Sequence, residues 1–295
     1  MKRRIAAPPS LFLIASVVWG STWLAIKFQL GDVSPEVSLV YRFALAAALI
    51  AMMCVVRGRS LRFPLRMHLL LVAQGALMFG FNYIFVYRAE LYVASGLVAV
   101  LFSTMVFMSL AGTRLVFGTP IRARALVGAT LGVGGVVLLF LPELLAARNG
   151  GNAAAGIAFG LAAALIATGG NLVSMQMQRR GLPIFETTAW GMAYGAAISA
   201  LVAMLLGAQW TFDARIPYVL SLAYLAVFGS VVAFAAYLTL LKQVGAGPSS
   251  YTSVATPVVA MLLSTLFEGY QWSALALFGV VLAAAGNVLV LRQRR

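Results

Sequence analysis

Side chains able to hydrogen-bond or ionise are scarce in these 295 residues, so where they fall is informative. Phe79, Asn82, Tyr83 and Val86 recur at i, i+3, i+4 and i+7, the spacing of one helical face. Moved 151 positions along the chain, that set lands on Ser230, Ala233, Phe234 and Tyr237, again one face mixing rings with small polar groups. Trp19, Thr22 and Trp23 share another stretch, Thr168 and Asn171 a further one, and Tyr41 and Trp190 occupy adjoining or matching places in two more. Hydrogen bonds and ring contacts hold a small amphipathic molecule; they do not break bonds. The faces either line a chamber or form a packed, internally bonded core. An unpartnered amide in hydrocarbon costs several kcal/mol, so Asn82 is expected to face the protein interior on both readings.

Nothing catalytic accompanies them. Paired aspartates, a Ser/His pair or a metal-binding His pair within apolar runs are all missing, and no Gly-x4-Gly-Lys-Ser/Thr loop is present to bind ATP. His68 and Cys54 are each the single residue of their type, so no internal disulfide and no Cys/His metal cluster is expected. Neither an enzyme nor a cofactor-dependent protein is predicted. Lys27 and Arg42 lie in or near apolar runs. They are a landing place for a carboxylate on one reading, and on the other partners of Asp32 or Glu36, or side chains snorkelling to the interface. No carboxylate falls deep within an apolar run, which predicts movement down a gradient without a dedicated proton site.

The elements that must position these groups follow from composition. The chain is 62% hydrophobic and 9% charged, against about 25% charged for a soluble domain. Its solvent must be largely hydrocarbon. A spanning helix needs about 20 apolar residues, and ten runs qualify: 11–30, 35–56, 67–87, 93–117, 122–141, 154–177, 184–206, 216–240, 248–267 and 272–291. Barrel strands would be shorter and would alternate in polarity. The first run exceeds a signal-peptide core of about 7–15 residues, so it is read as a span. The net charge of +14 does not indicate nucleic acid, because the basic residues cluster between runs, where they set orientation. With the amino terminus in the cytoplasm, 16 of 21 basic residues fall on the inner side and six of seven acids toward the outer. Both termini are then cytoplasmic.

The stretch 142–152 is the longest interval without a membrane-like run. It divides the chain into 1–144, a first five-helix unit; 145–153, a short outer connection; and 154–295, a second unit. At the offset of 151, residues 115–140 match 266–291 at ten of 26 positions, among them Gly128/Gly279 and Gly135/Gly286. Five is odd, so the second unit must sit upside down relative to the first, the arrangement typical of secondary transporters. The predicted fold is an all-α membrane protein of ten transmembrane helices, two inverted five-helix repeats around a central cavity.

Trp19-Gly20-Ser21-Thr22 with Lys27 beyond it, Arg42-Phe43, and Gly247-Pro248-Ser249-Ser250-Tyr251 followed by Thr256-Pro257 resemble the drug/metabolite transporter superfamily. Specifically, the chain is similar to its ten-helix carriers with two EamA-type repeats. Such carriers often end the fourth and ninth spans in Gly-Glu, where this chain has Gly118-Thr119 and Gly269-Tyr270. The resemblance implies helices 1–4 and 6–9 around the cavity with 5 and 10 at the periphery, and it is closest to the amino-acid exporters of the group.

The expected function is therefore a multi-pass carrier of a bacterial inner (plasma) membrane. It would export small amphipathic metabolites, neutral or aromatic amino acids first, by alternating access through an uncharged cavity. Trp19, Thr22, Phe79, Asn82, Tyr83, Asn171, Trp190, Ser230, Phe234 and Tyr237 are the expected substrate contacts. Expected partners are the small-molecule substrate and lipid, with no nucleic acid, and a monomer suffices. The alternatives are a multidrug or other metabolite carrier of the same fold, or a non-transporting receptor or assembly protein. The last would need an extramembrane domain larger than the connections here provide.

Overall fold

A computed structural model describes residues 7–93, 95–139, 153–267 and 272–291, with Leu141 and Leu145 besides. The rest of the predicted connection at 142–152 lies outside the described residues. Ten membrane-directed helices occur among those described. The first half contributes α1 (Pro8–Lys27), α2 (Pro35–Val56), α3 (Leu65–Glu90), α4 in two pieces (Ser95–Ser103 and Met105–Phe117) and α5 (Ala123–Leu139). The second contributes α6 (Ala153–Arg179), α7 (Ile184–Leu205), α8 (Ile216–Val244), α9 (Thr252–Phe267) and α10 (Ala274–Leu291). Seven are long and apolar enough to cross a bilayer outright. Proline stands in the first turn of α1, α2 and α8, where its missing N–H has no helical partner to lose. Apolar side chains left exposed in mid-helix, such as Val17, Leu165 and Val281, are what a lipid-facing surface requires.

The two halves are related by a pseudo-two-fold axis, most visibly where α5 crosses α10. A Cβ built on Gly279 would lie 2.5 Å from the carbonyl oxygen of Gly135, and one built on Gly286 would lie 2.5 Å from that of Gly128. The offset of 151 converts Gly128 into Gly279 and Gly135 into Gly286. Each contact is therefore the exchange partner of the other, and the two helices run antiparallel. Backbones this close leave no room for a side chain at Gly135, Gly279 or Gly286. Parallel repeats could not make these reciprocal contacts.

Ion pairs join the halves at both ends of the bundle. On the far face, away from the start of α1, Arg215 pairs with Asp32 at 2.7 Å and with Asp213 at 2.8 Å. The same guanidinium holds the Asp213 carboxyl below the usual carboxylate range. On the near face, Arg59 pairs with Glu186 at 3.2 Å. Tyr41 donates to the Thr211 carbonyl on the far face, and Trp190 to the Leu61 carbonyl on the near face. Each is an aromatic donor from one half reaching a loop of the other.

Two departures from regular helix recur at matched places. Residues Gly75–Gly80 of α3 and Leu225–Val232 of α8 are π-helical, and the offset maps the first segment inside the second. Extra residues per turn widen the helix locally, a feature frequent at functional sites. The fourth and ninth helices are also disturbed at equivalent depth. In α4 the helix breaks at Thr104, whose hydroxyl bonds back to the Leu101 carbonyl at 2.5 Å. In α9 Pro257 removes a backbone donor inside the helix.

Candidate functional site

Between the halves lies a cavity in which the centre of a water-sized sphere can reach about 90 Å3. By that measure one water needs about 10–15 Å3, so the space suits several waters or a small solute. Six helices form its wall. Trp19, Thr22, Trp23 and Ile26 come from α1, and Met78, Asn82, Tyr83 and Val86 from α3. Ala99, Phe102 and Met105 come from α4, and Ala167 and Asn171 from α6. Phe234 and Tyr237 come from α8, and Thr252, Ser253, Thr256 and Pro257 from α9. Among its described residues the wall carries no charged side chain. Helices α2 and α7, expected from the resemblance to border the cavity, instead stand behind α3 and α8; α5 and α10 pair at the periphery.

Pseudo-symmetry extends to the wall: Tyr83/Phe234, Val86/Tyr237, Phe102/Ser253 and Met105/Thr256 are offset pairs. It breaks at one informative contact. The Trp19 indole N–H donates to the Gly229 carbonyl at 3.2 Å. The offset turns this contact into Gly170 against Met78, where a Cβ on Gly170 would sit 2.9 Å from that of Met78. Bulk is on α1 in one copy and on α3 in the other. The cavity is therefore lopsided, with Trp19 edge-on to Phe234 at 5.1 Å and tilted over Tyr237 at 4.9 Å.

Seven of the ten expected contacts line this space: Trp19, Thr22, Asn82, Tyr83, Asn171, Phe234 and Tyr237. Phe79, Ser230 and Trp190 do not. Phe79 is fully buried behind the wall, edge-on to Phe43 and Phe234. Ser230 donates to the Leu225 carbonyl and accepts from Arg42 Nε. Both lie inside the π-helical segments, where a 3.6-residue period misplaces the face; Met78 lines the cavity in place of Phe79. Trp190 stacks on Tyr194 near the near face, against His68, which bonds to the Tyr194 hydroxyl at 2.7 Å. Thr168 turns back to the Ala164 carbonyl. Phe102 and Met105 were missed because no pattern of polar residues marks their helix.

The wall's polar groups are incompletely satisfied. Trp23 Nε1, Asn82 Oδ1 and the Tyr237 hydroxyl are buried and make no hydrogen bond of normal length within the protein, although Ser249 and Asn171 stand beside the Tyr237 hydroxyl. Asn171 Nδ2 lies 4.0 Å from the Met105 sulfur, and its side chain stands beside the Tyr237 hydroxyl. Two donors, an acceptor and a hydroxyl able to do both thus converge on an apolar, aromatic space. That is the composition of a small-molecule pocket: mostly hydrophobic, with a few placed polar groups.

Carboxylates are buried elsewhere. Glu36 is 1% exposed and paired with Arg88 at 2.6 Å. Glu186 is paired with Arg59, and Glu90 ends α3 with both oxygens buried. None of them lines the cavity. A second, larger cleft of about 590 Å3 opens toward the near face, bordered by Arg122, Arg179, Gln243 and the Gly245–Pro248 turn. On α4 and α6 its first residues, Leu110 and Met175, follow the cavity's last ones, Met105 and Asn171, by about one helical turn.

The sequence profile of the EamA-like transporter family matches twice, over residues 9–141 and 154–292. The chain is 30% identical over 283 residues to the "Uncharacterized inner membrane transporter YedA" of Escherichia coli, covering 92% of this chain and 89% of that protein. It is 27% identical over 297 residues to a "Probable amino-acid metabolite efflux pump" of Salmonella typhimurium, covering 97% and 96%. A solved crystal structure superposes with a TM-score of 0.78 at 19% identity, covering 98% of this chain and 99% of the other.

Proposed function

Because the chain belongs to the EamA-like transporter family, and so is a membrane transporter, we propose that it exports small amphipathic metabolites through the central cavity. Neutral and aromatic amino acids are the first candidates. The relative named as an amino-acid metabolite efflux pump supports that class, and so does the wall. The observation that carries the reading is the set of polar atoms without a full hydrogen bond, Trp23 Nε1, Asn82 Oδ1 and Tyr237 hydroxyl, facing an uncharged aromatic space. Seven residues are the proposed contacts: Trp19, Thr22, Asn82, Tyr83, Asn171, Phe234 and Tyr237. Selectivity is broad, since apolar walls separate side chains by only about 1–3 kcal/mol per methylene.

The mechanism is alternating access between residues 1–144 and 154–295, joined by the connection at 145–153, in a bacterial inner membrane with both termini cytoplasmic. The near-face cleft then opens to the cytoplasm and admits substrate to within one turn of the cavity. Inverted repeats make the opposite opening available by an equivalent motion. The matched π segments of α3 and α8, and the breaks at Thr104 and Pro257, supply bending points at equal depth in both halves. Arg59–Glu186 and Asp32–Arg215 are the inter-half ties that open in turn. With no carboxylate on the wall, flux follows the substrate gradient.

The test is efflux of labelled amino acids, amines and nucleosides from proteoliposomes holding the purified protein, with and without a pH gradient. Saturable amino-acid flux is expected, lowered by Asn82→Ala and by Tyr83→Ala. Strict dependence on the pH gradient, or flux unaffected by both substitutions, refutes the assignment.

A further inference from the structure

Arg42 is the largest side chain that is wholly buried, and it is not neutralised by any bonded carboxylate among the described residues. Asp32 and Asp213 bind Arg215, Glu36 binds Arg88, and Glu186 binds Arg59. Glu90, whose carboxyl also feels Lys27, is the remaining carboxylate near it, but neither Glu90 oxygen hydrogen-bonds to it. A guanidinium has five N–H donors. Here Nε donates to Ser230 Oγ at 3.1 Å, while Nη1 and Nη2 make no hydrogen bond of normal length and have only the Tyr83 and Tyr87 hydroxyls beside them. The guanidinium carbon lies 4.6 Å from the centre of the Tyr83 ring and 5.2 Å from that of Phe43. Those rings offset part of the burial by cation–π attraction, yet they leave the Nη edge without a full hydrogen bond.

That edge lies just behind the cavity wall. A Cβ built on Gly229 would be 3.3 Å from Nη2 on one side and 2.9 Å from the Thr22 methyl on the other. Thr22 and Tyr83 both line the cavity. The missing side chain at Gly229 and the ring of Tyr83 are thus what separates the guanidinium from the cavity. The offset places Ala193 opposite Arg42, so the second half has no equivalent charge.

We propose that Arg42 receives the carboxylate of the transported molecule, through Nη1 and Nη2, once the Tyr83 ring swings off it. This rests on the transport reading and adds a charged recognition element to an otherwise neutral site. A guanidinium edge matches a carboxylate in two parallel hydrogen bonds. The neutral wall receives the apolar part, and Arg42 selects acids over their amides.

The experiment is thermal stabilisation of the detergent-purified full chain by benzoate, benzamide and chloride, in wild type, Arg42→Gln, Arg42→Lys and Gly229→Ala. Benzoate is expected to stabilise wild type, and benzamide and chloride far less. Arg42→Gln removes the benzoate effect. Arg42→Lys keeps the charge and the fold but weakens benzoate about tenfold or more, through loss of the paired bonds. Gly229→Ala also weakens benzoate, by placing a methyl between cavity and guanidinium, while the charge of Arg42 is retained. Equal benzoate stabilisation in Arg42→Lys and wild type, or stabilisation by chloride alone, overturns the assignment. Amino-acid flux in proteoliposomes without any Arg42-dependent benzoate effect refutes this inference and leaves transport standing; the benzoate effect without flux does the reverse.

Discussion

Replacing Tyr237 by Phe separates a binding wall from a packed core, because the two predict opposite signs. The side chain is 1% exposed, and its hydroxyl makes no hydrogen bond of normal length, with Ser249 and Asn171 beside it. Its ring is held by Trp19 at 4.9 Å, a contact that Phe retains. An unsatisfied buried hydroxyl costs about 1–3 kcal/mol, so deleting it should leave the thermal midpoint of the ligand-free protein unchanged or raised. A hydrogen bond to substrate is worth about 0.5–1.5 kcal/mol, and at 1.4 kcal/mol per tenfold its loss raises the flux KM about two- to twelvefold. The assays are thermal unfolding in detergent and amino-acid efflux from proteoliposomes. A midpoint lowered by several degrees together with an unchanged KM would show the hydroxyl to be a structural donor, and the reasoning would fail.

Other consequences are equally specific. Gly286→Val forces side-chain carbon against the Gly128 carbonyl and Gly132 backbone, and should destabilise by about 1–3 kcal/mol. Gly134→Ala, with nothing within 4 Å, should be neutral in the same unfolding assay. Arg88→Met leaves the buried Glu36 carboxylate without its partner and should cost about 1–3 kcal/mol, recovered in part by the double substitution with Glu36→Gln, as a double-mutant cycle would measure. Trp190→Phe deletes the bond to the Leu61 carbonyl, so the midpoint should fall while the flux KM stays unchanged. Imposing a pH gradient across proteoliposomes should alter the initial amino-acid flux by less than about twofold, given a wall without carboxylates.

Much of the architecture is readable in the sequence because hydrocarbon imposes few solutions. Apolar run length alone identifies the helices, and an odd number per repeat requires inversion. The reciprocal glycine contacts of α5 and α10 were visible as the pairs Gly128/Gly279 and Gly135/Gly286 before their geometry was known. The cavity wall was legible where α-helical periodicity holds, as for Asn82, Tyr83, Phe234 and Tyr237. It was illegible at Phe79 and Ser230, because π-helical turns rotate those residues off the expected face, and only Gly75, Gly80 and Gly229 hint at it. Trp190 illustrates a different limit. An indole near a helix end serves a loop carbonyl as readily as a ligand, and spacing does not distinguish the two. The α4 and α9 walls carry no pattern beyond apolarity and small hydroxyls, so Phe102, Met105 and Ser253 emerged only from three-dimensional packing. Arg42 was placed correctly near a helix interior, but its expected partners Asp32 and Glu36 turned out to serve Arg215 and Arg88.

The most direct measurement is two-sided accessibility of the cavity. With Cys54 replaced by Ala, a cysteine is introduced at Ala167, on the α6 wall, and challenged with a membrane-impermeant thiol reagent in right-side-out and inside-out vesicles. Alternation around this cavity predicts labelling from both sides, slowed from each by the transported amino acid. Labelling from neither side, or from one side with no effect of any substrate, would contradict it.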